Sequence, residues 1–248
     1  MNGGSPSVTV AAARDDPTLV VVEGFHALKH ALRVGAELVF VVVETGTDLT
    51  TLAPGGHALP SLPVTPVTLA HDQFADLARP RPSVPVVAVA RRPTPSDVGA
   101  LRRDRPLVVL ERPNHPGNLG AVVRVAAAAD AAGVVCFGGV DPWGAAAVRG
   151  AAGLTFALPV IRTDAWPDTD RPVLAFDPSG RDLNGVVVQP GSMMVFGTER
   201  DGLSPAVRDR ADEVVRIPMA PPVSSLNLAT AVAIALYAQP AAPEQPVR

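Results

Sequence analysis

Three segments of this 248-residue chain, all beyond residue 114, combine residue types that can bind a ligand and act on it. The first, His115–Gly133, follows an apolar run and places Asn118 before an alanine-rich helical pattern. An asparagine there is suited to cap the helix, and the unpaired backbone N–H groups at a helix start can bind an anion. Arg124 follows about two turns later. Taken alone, this arginine is better explained as a surface residue whose aliphatic stem covers the core.

The second segment, Met193–Ser204, is an apolar strand that runs into a loop containing Gly197, Glu199 and Gly202. Glycines at the carboxyl end of a strand let the backbone approach a ligand closely, and this is the usual place for binding sites in α/β proteins. Without its neighbours, the same pattern also describes a tight turn with an exposed glutamate.

The third segment, Val215–Ala238, joins a stiff loop to an apolar helix. Three prolines hold the loop extended: Pro218, Pro221 and Pro222. Ser224 or Ser225 can then cap the helix. With Ser225 and Asn227 at the point where it turns into the helix, the loop offers backbone groups to a flat ligand. As pure structure, the segment is a capped core helix.

In this order and spacing, the three segments closely resemble the signature of the SpoU (TrmH-type) RNA 2′-O-ribose methyltransferases of the SPOUT superfamily. The resemblance covers about residues 105–238 and lies in the motifs N-x-G-x-x-x-R, G-x-E-x-x-G-L-S and I-P-M followed by S-L-N. The matching residues are Asn118, Gly120, Arg124; Gly197, Glu199, Gly202, Leu203, Ser204; Ile217, Pro218, Met219; and Ser225, Leu226, Asn227. One departure is Ala151, where relatives usually have a serine.

The resemblance implies a fold and a cofactor. The fold is an α/β-knot, a parallel sheet whose C-terminal stretch threads a deep trefoil knot, and the cofactor is S-adenosyl-L-methionine, held by the knot loops. The residues that would bind it are Gly197, Thr198, Glu199, Gly202, Ile217, Met219, Ser225, Leu226 and Asn227. We expect direct adenosine contacts from Gly197, Ile217 and Leu226. Relatives are homodimers, so a homodimer is expected here.

The resemblance also implies methyl transfer to a ribose 2′-hydroxyl of RNA. The catalytic residues would be Arg124 together with Asn118, Glu199, Ser225 and Asn227, which orient Arg124, the loop and the nucleotide. Family proposals place this arginine at the hydroxyl, sometimes as a general base. Because a guanidinium pKa lies above about 12, we expect Arg124 instead to hold the adjacent phosphate and polarise the hydroxyl. The cofactor is already a cation, so no metal is required.

The substrate is less sharply defined than the chemistry. Val21–Leu32 is similar, more weakly, to part of a small substrate-recognition domain found on ribosomal-RNA members of the family. That domain favours ribosomal over transfer RNA, since minimal transfer-RNA members often lack it and carry basic extensions. A methyltransferase that confers antibiotic resistance has a similar plan. A dimer that binds RNA or cofactor without catalysis is the alternative from another class, which the presence of Arg124 and Glu199 disfavours.

Net charge limits how the protein can bind RNA. A net charge of −3 and a pI near 5.9 exclude a polycationic nucleic-acid binder, but not an enzyme that contacts RNA through a local patch. Such a patch is a stripe with a local excess of five positive charges, formed by Arg79, Arg81, Arg91, Arg92, Arg102, Arg103 and Arg105 against Asp97 and Asp104. It is explained about equally well as a phosphate-contacting surface and as a solvated linker.

Other familiar sites are missing from the sequence. There is no G-x-G-x-x-G after a strand, no P-loop and no G-x-S-x-G elbow. His26 and His30 have a spacing that can bind metal, but no further ligand is nearby, so we expect no metal. Cys136 lies in an apolar strand and is expected in the core. With no secretory signal and no apolar stretch near the roughly 18 residues of a membrane span, a cytoplasmic protein is expected.

These residues must be positioned by strands and helices, and Val-rich runs alternating with helical patterns predict a largely parallel α/β architecture. We expect a disordered N-terminus over 1–17, a small α/β RNA substrate-recognition domain over 18–92 and a linker over 93–105. The SPOUT methyltransferase domain follows over 106–238, then a disordered tail over 239–248. Strands are predicted at Leu19–Gly24, Leu38–Glu44, Val84–Ala90, Leu107–Leu110, Val134–Phe137, Val173–Phe176, Met193–Phe196 and Val214–Arg216, and helices near Phe25–Arg33, Leu119–Ala131 and Leu226–Tyr237.

Overall fold

The strands of the computed structural model form two sheets, joined by the segment between residues 91 and 107. The structure describes residues 6–49, 59–78, 80–198 and 201–238. We call the four-stranded sheet the N-terminal sheet and the six-stranded sheet the C-terminal sheet. Both are rich in valine, whose branched side chain packs well on a pleated surface.

The N-terminal sheet has mixed strand directions. Its strands are β1 (Leu19–Glu23), β2 (Leu38–Glu44), β3 (Val67–Leu69) and β4 (Val86–Arg91), in the order β1-β4-β2-β3. β4 runs antiparallel to both of its neighbours, and only β2 and β3 are parallel. The helices of this unit are α1 (Pro6–Asp15), α2 (Phe25–Arg33) and α3 (His71–Ala75). The prediction of a largely parallel sheet is therefore wrong for this unit, because a valine run buried on both faces does not report its partner's direction.

The C-terminal sheet is entirely parallel, as predicted. Its strands are β5 (Leu107–Glu111), β6 (Gly133–Phe137), β7 (Val160–Thr163), β8 (Val173–Asp182), β9 (Met193–Phe196) and β10 (Glu213–Arg216), in the order β10-β8-β9-β5-β6-β7. The helices are α4 (Pro116–Ala128), α5 (Ala145–Gly150), α6 (Pro205–Arg208) and α7 (Leu228–Tyr237). Strand order reverses between β5 and β9, so the segments that follow these two strands meet at one edge, where ligands bind in open α/β sheets.

The expectation of disorder over residues 1–17 is wrong for the part that the structure describes. Helix α1 (Pro6–Asp15) packs Val10 and Ala13 into the core of the N-terminal unit. Arg14 donates to the buried carboxylate of Glu23 at 2.8 Å and to the carbonyl oxygen of Leu77 at 2.5 Å. Small residues typical of loops can form a helix when tertiary contacts stabilise it. The predicted tail, residues 239–248, lies outside the described residues.

Close backbone contact joins α2 to the turn after α5. Gly153 has φ +78°, and a Cβ built on it would lie 2.0 Å from the carbonyl oxygen of Ala27. His30 Nδ1 lies 3.0 Å from the carbonyl oxygen of Ala152. Arg149 adds an ion pair to Glu23, so this one buried carboxylate binds an arginine from each unit. We call these contacts the inter-sheet junction.

Arg171 holds the end of the connecting segment against the C-terminal sheet. Its side chain is buried, and its hydrogen bonds to described residues all go to backbone carbonyl oxygens, those of Leu101, Arg102, Arg105 and Gly191, at 2.6 to 3.2 Å. Burial and the charge of Arg103 lower the pKa of this guanidinium. Because carbonyl dipoles replace its water shell, the charge can stay buried without a carboxylate partner.

Candidate active site

A cavity of about 440 Å³ lies at the carboxyl end of β9, between the neighbouring part of β8 and the loop that precedes α7. This volume is in the range of sites for cofactor-sized molecules. Seven of the nine residues predicted to bind cofactor line it: Gly197, Thr198, Gly202, Ile217, Met219, Ser225 and Leu226. Asn227 is not among the lining residues, and Glu199 lies outside the described residues. The second and third motifs, which are separate in sequence, therefore come together around one space.

Two glycines shape the turn after β9. A Cβ on Gly197 would lie 2.1 Å from the carbonyl carbon of Gly202, and Gly202 itself has φ +65°. The turn is closed by two backbone hydrogen bonds of 3.1 Å between Thr198 and Gly202. Asp201 N also donates to Thr198 Oγ1 at 3.0 Å. The glycines of this motif are therefore required by close backbone approach at the cavity wall.

Two aromatic residues form an apolar wall. Phe176 and Phe196 are paired across β8 and β9 and stack with ring centroids 4.6 Å apart and planes 11° from parallel. The sequence predicted both in strands but did not assign them to the site. The available signal was position, because each ends a predicted strand, and the carboxyl ends of adjacent parallel strands share one edge.

Asp177 is a further lining residue that no sequence motif marked. It follows Phe176 in the cavity lining, and its side chain is only 12% exposed. Oδ1 accepts hydrogen bonds from the amide of Ser179 at 3.0 Å and from its hydroxyl at 2.6 Å. Burial on its own would raise the pKa of Asp177, but these hydrogen bonds and the charge of Arg208 outweigh it and lower the pKa. Asp177 is therefore an anion at neutral pH.

The described lining contains two carboxylates, Asp177 and Asp201, and no basic side chain. Anionic walls disfavour a phosphate-bearing ligand such as a nucleotide, and they favour a cation. Together with the stacked phenylalanines, the cavity suits a flat aromatic ligand that carries positive charge.

The caps of α4 and α7 differ from those predicted. His115, not Asn118, is the N-cap of α4, and its Nδ1 accepts from the amide of Asn118 at 3.3 Å. Asn227, not Ser224 or Ser225, is the N-cap of α7, and its Oδ1 accepts from the amides of Ala229 and Thr230. With Pro116 at its first helical position, α4 starts three residues earlier than predicted, and the longer loop before α7 makes that helix start two residues later.

The first and third motifs are linked by their asparagines. Asn227 Nδ2 donates to Asn118 Oδ1 at 3.2 Å, across 109 positions of sequence. The same Asn227 side chain therefore caps α7 with its oxygen and binds α4 with its nitrogen. This places two of the predicted catalytic residues in direct contact.

Arg124 is exposed on α4 and forms no hydrogen bond or ion pair with any other residue that the structure describes. It does not line the cavity. Gly120, one turn earlier, packs against α5, where a Cβ would lie 2.2 Å from the carbonyl oxygen of Ala147 and 2.7 Å from the amide of Ala151. Ala151, which stands where the resemblance implies a serine, is fully buried at this contact between α4 and α5 and does not line the cavity.

The predicted arginine stripe is paired with carboxylates throughout its described part. The pairs are Arg81 with Glu44, Arg91 with Glu37, Arg92 with Asp141, Arg102 with Asp104 and Asp130, Arg103 with Asp170, and Arg105 with Asp104 and Asp130. Arg79 lies outside the described residues. Most of the partners are distant in sequence, so the local excess of positive charge largely disappears in the fold.

The remaining candidates carry no site. Cys136 is buried, and burial raises the pKa of its thiol to about 12. Within the described ranges no group of three or more metal-ligating side chains occurs. Those ranges also contain no helix with the length and apolar character needed to cross a bilayer.

The fold and the cavity define a class of protein: an α/β protein whose parallel C-terminal sheet carries, at the carboxyl ends of β9 and β10 and the neighbouring part of β8, a cavity that suits a flat, cationic ligand. Over residues 105–237 the chain matches the model of the SpoU rRNA Methylase family. It is 30% identical over 235 residues to a 23S rRNA (uridine(2479)-2′-O)-methyltransferase of Streptomyces viridochromogenes, covering 83% of this chain and 80% of that protein. The chain belongs to the SpoU rRNA methylase family, which confirms the prediction from the three motifs.

Two further similarities differ in extent. An uncharacterized tRNA/rRNA methyltransferase of a Synechocystis species is 36% identical over 143 residues, which cover 52% of this chain and 51% of that protein. The AdoMet-bound structure of an rRNA methyltransferase from Sinorhizobium meliloti is 25% identical with a TM-score of 0.74, covering 96% of this chain and 95% of that one.

Proposed function

We propose that this chain is an S-adenosylmethionine-dependent methyltransferase that methylates a ribose 2′-hydroxyl in RNA, with ribosomal RNA favoured over transfer RNA. The observation that carries the proposal is the cavity itself, because seven residues chosen from the family motifs line one space of suitable size and charge. The Streptomyces relative, which matches 83% of this chain, is named as a 23S rRNA enzyme, and this supports the ribosomal substrate.

The residues present fit this cofactor. The stacked Phe176 and Phe196 offer an apolar wall to an adenine ring, and the turn from Gly197 to Gly202 offers backbone groups to its polar edge. Ile217 and Leu226 supply further apolar contact. When bound, the cofactor supplies an activated methyl group on a positively charged sulfur, so no metal is needed for the chemistry.

The chain's own residues position the nucleotide. Arg124 is free to contact an RNA phosphate and to polarise the neighbouring 2′-hydroxyl, since its guanidinium forms no hydrogen bond or ion pair with any described residue. The Asn118–Asn227 hydrogen bond fixes the start of α7 relative to α4, which carries Arg124. Ser225 and Glu199 are assigned to orienting the loop and the nucleotide, as the motifs predict.

Several finer assignments accompany this proposal. The N-terminal unit, residues 18–92, acts in substrate recognition, and residues 93–105 link it to the methyltransferase domain over 106–238. The C-terminal stretch threads the deep trefoil knot that the resemblance implies, and the protein acts in the cytoplasm. The RNA role of the arginine stripe stays a prediction, weakened by its ion pairs.

A homodimer is part of the proposal. Thr230, Ile234 and Tyr237 lie on one face of α7 and are exposed, with Tyr237 at 65%. An exposed apolar face on a helix beside the site is typical of a subunit interface. Sedimentation velocity tests this, and a monomer at micromolar concentration contradicts it.

The experiment that tests the function is transfer of labelled methyl to RNA from a strain lacking the gene, separated into ribosomal and transfer fractions. We expect alkali-resistant label at one site of ribosomal RNA. Arg124→Ala should abolish transfer and leave cofactor affinity nearly unchanged, while Arg181→Ala, an exposed arginine paired with Glu213, should keep activity. Activity of Arg124→Ala equal to that of the wild-type protein contradicts the role of Arg124. Label in transfer RNA alone would identify transfer RNA as the substrate instead of ribosomal RNA.

A further inference from the structure

The carboxylate of Asp177 lies where it can interact electrostatically with a ligand bound in the cavity. It lines the cavity with a side chain that is only 12% exposed, and Ser179 binds Oδ1 alone. Its Oδ2 has a distant ion pair, 3.8 Å from Arg208 Nη1. One carboxylate oxygen is therefore fixed by the loop while the other keeps most of its capacity to attract a cation.

The rest of the described lining adds no positive charge. The other charged residue, Asp201, is exposed in the turn after β9. Arg208 is near Asp177 but is not itself a lining residue. A ligand in the cavity therefore experiences a negative field beside a largely buried carboxylate, where charge interactions are stronger than in water.

We propose that Asp177 is a specificity-determining residue that makes the cavity prefer the positively charged methyl donor to the neutral thioether left after transfer. This inference rests on the proposed function. In the transfer, the carbon–sulfur bond breaks and its electron pair stays on sulfur, while the ribose oxygen bonds the methyl carbon and its proton passes to solvent. The sulfur thereby loses its charge, so the attraction of Asp177 is lost at the product stage.

Calorimetric binding of three ligands tests the inference: S-adenosylmethionine, S-adenosylhomocysteine and sinefungin, which carries an amine in place of the sulfonium. In Asp177→Asn we expect about tenfold weaker binding of the two ligands charged at that position, equivalent to about 1.4 kcal/mol. Binding of S-adenosylhomocysteine should change less than about twofold. Arg208→Ala, which removes a competing cation, should shift the preference in the opposite direction.

The outcomes separate the two proposals. Equal weakening of all three ligands overturns the inference, because Asp177 would then contact a group that they share. Unchanged binding in Asp177→Asn overturns it as well. If the wild-type protein binds none of the three, the cofactor assignment fails and the inference fails with it. Asp177→Ser is a second neutral variant, and thermal unfolding identifies a variant that does not fold.

Discussion

Gly197 shows at the scale of one residue why a motif glycine is needed here. A methyl group at this position would overlap the carbonyl of Gly202, so the turn that forms the cavity wall must open. We expect Gly197→Ala to weaken S-adenosylmethionine binding at least tenfold, measured by calorimetry. Gly185→Ala is the matched control, because its Cβ would approach only the Arg181 side chain, at 3.7 Å. Equal binding by the two variants contradicts this explanation.

Residue types in the motifs were predictable from sequence, but their contacts were not. The motifs predicted Asn118 and Asn227 as site residues, yet not that one hydrogen bond joins them. Phe176 and Asp177 were not predicted as site residues because no motif marks them, and only the pairing of β8 with β9 brings them to the cavity. Such contacts depend on tertiary structure, which a local pattern does not contain.

At the scale of elements, the cap of α7 separates the sequence prediction from the structure. Because Asn227 accepts two backbone N–H groups, Asn227→Ala should lower the free energy of unfolding by about 1 kcal/mol. Ser225→Ala should change it much less. Chemical denaturation measures both changes. A larger loss of unfolding free energy in Ser225→Ala than in Asn227→Ala would contradict the asparagine cap and favour the predicted serine cap.

Elements with a clear apolar pattern were the predictable ones. α2 has the bounds that the sequence predicted, and the strands Leu38–Glu44 and Met193–Phe196 agree as well. β3, with three residues, and α5, with six, were missed because so few residues show no periodicity. Helix starts were wrong where several capping residues compete within a few positions.

At the scale of the whole molecule, charge was the least predictable property. The sequence places seven arginines between positions 79 and 105, but their carboxylate partners lie as far away as Asp170, 67 positions from Arg103. A count along the chain cannot include such partners. We therefore expect the RNA-contacting surface to depend on which arginines stay unpaired after folding, and Arg124 is one of these among the described residues.

The inter-sheet junction makes stability depend on pH through His30. Burial lowers its pKa from the ordinary 6.5, only partly offset by the hydrogen bond to Ala152, and nearby Lys29, Arg33 and His26 lower it further. Protonation therefore favours the unfolded state, so its stabilising contribution is full above about pH 6.5 and falls as the pH drops through that value. Between about pH 7.5 and 5.5, we expect the free energy of unfolding to fall less in His30→Gln than in the wild-type protein, measured by denaturant titration. An identical loss in both proteins contradicts the assignment.

The contact between Gly153 and Ala27 also limits how such chains can be recombined. The two backbones meet where no side chain fits, and Glu23 is shared by arginines from both units. An N-terminal unit taken from a relative would bring a different α2 surface to the inter-sheet junction. We expect chimaeras to assemble only when the segment 149–156 is exchanged together with the unit that it touches, so that the two are inherited as one piece.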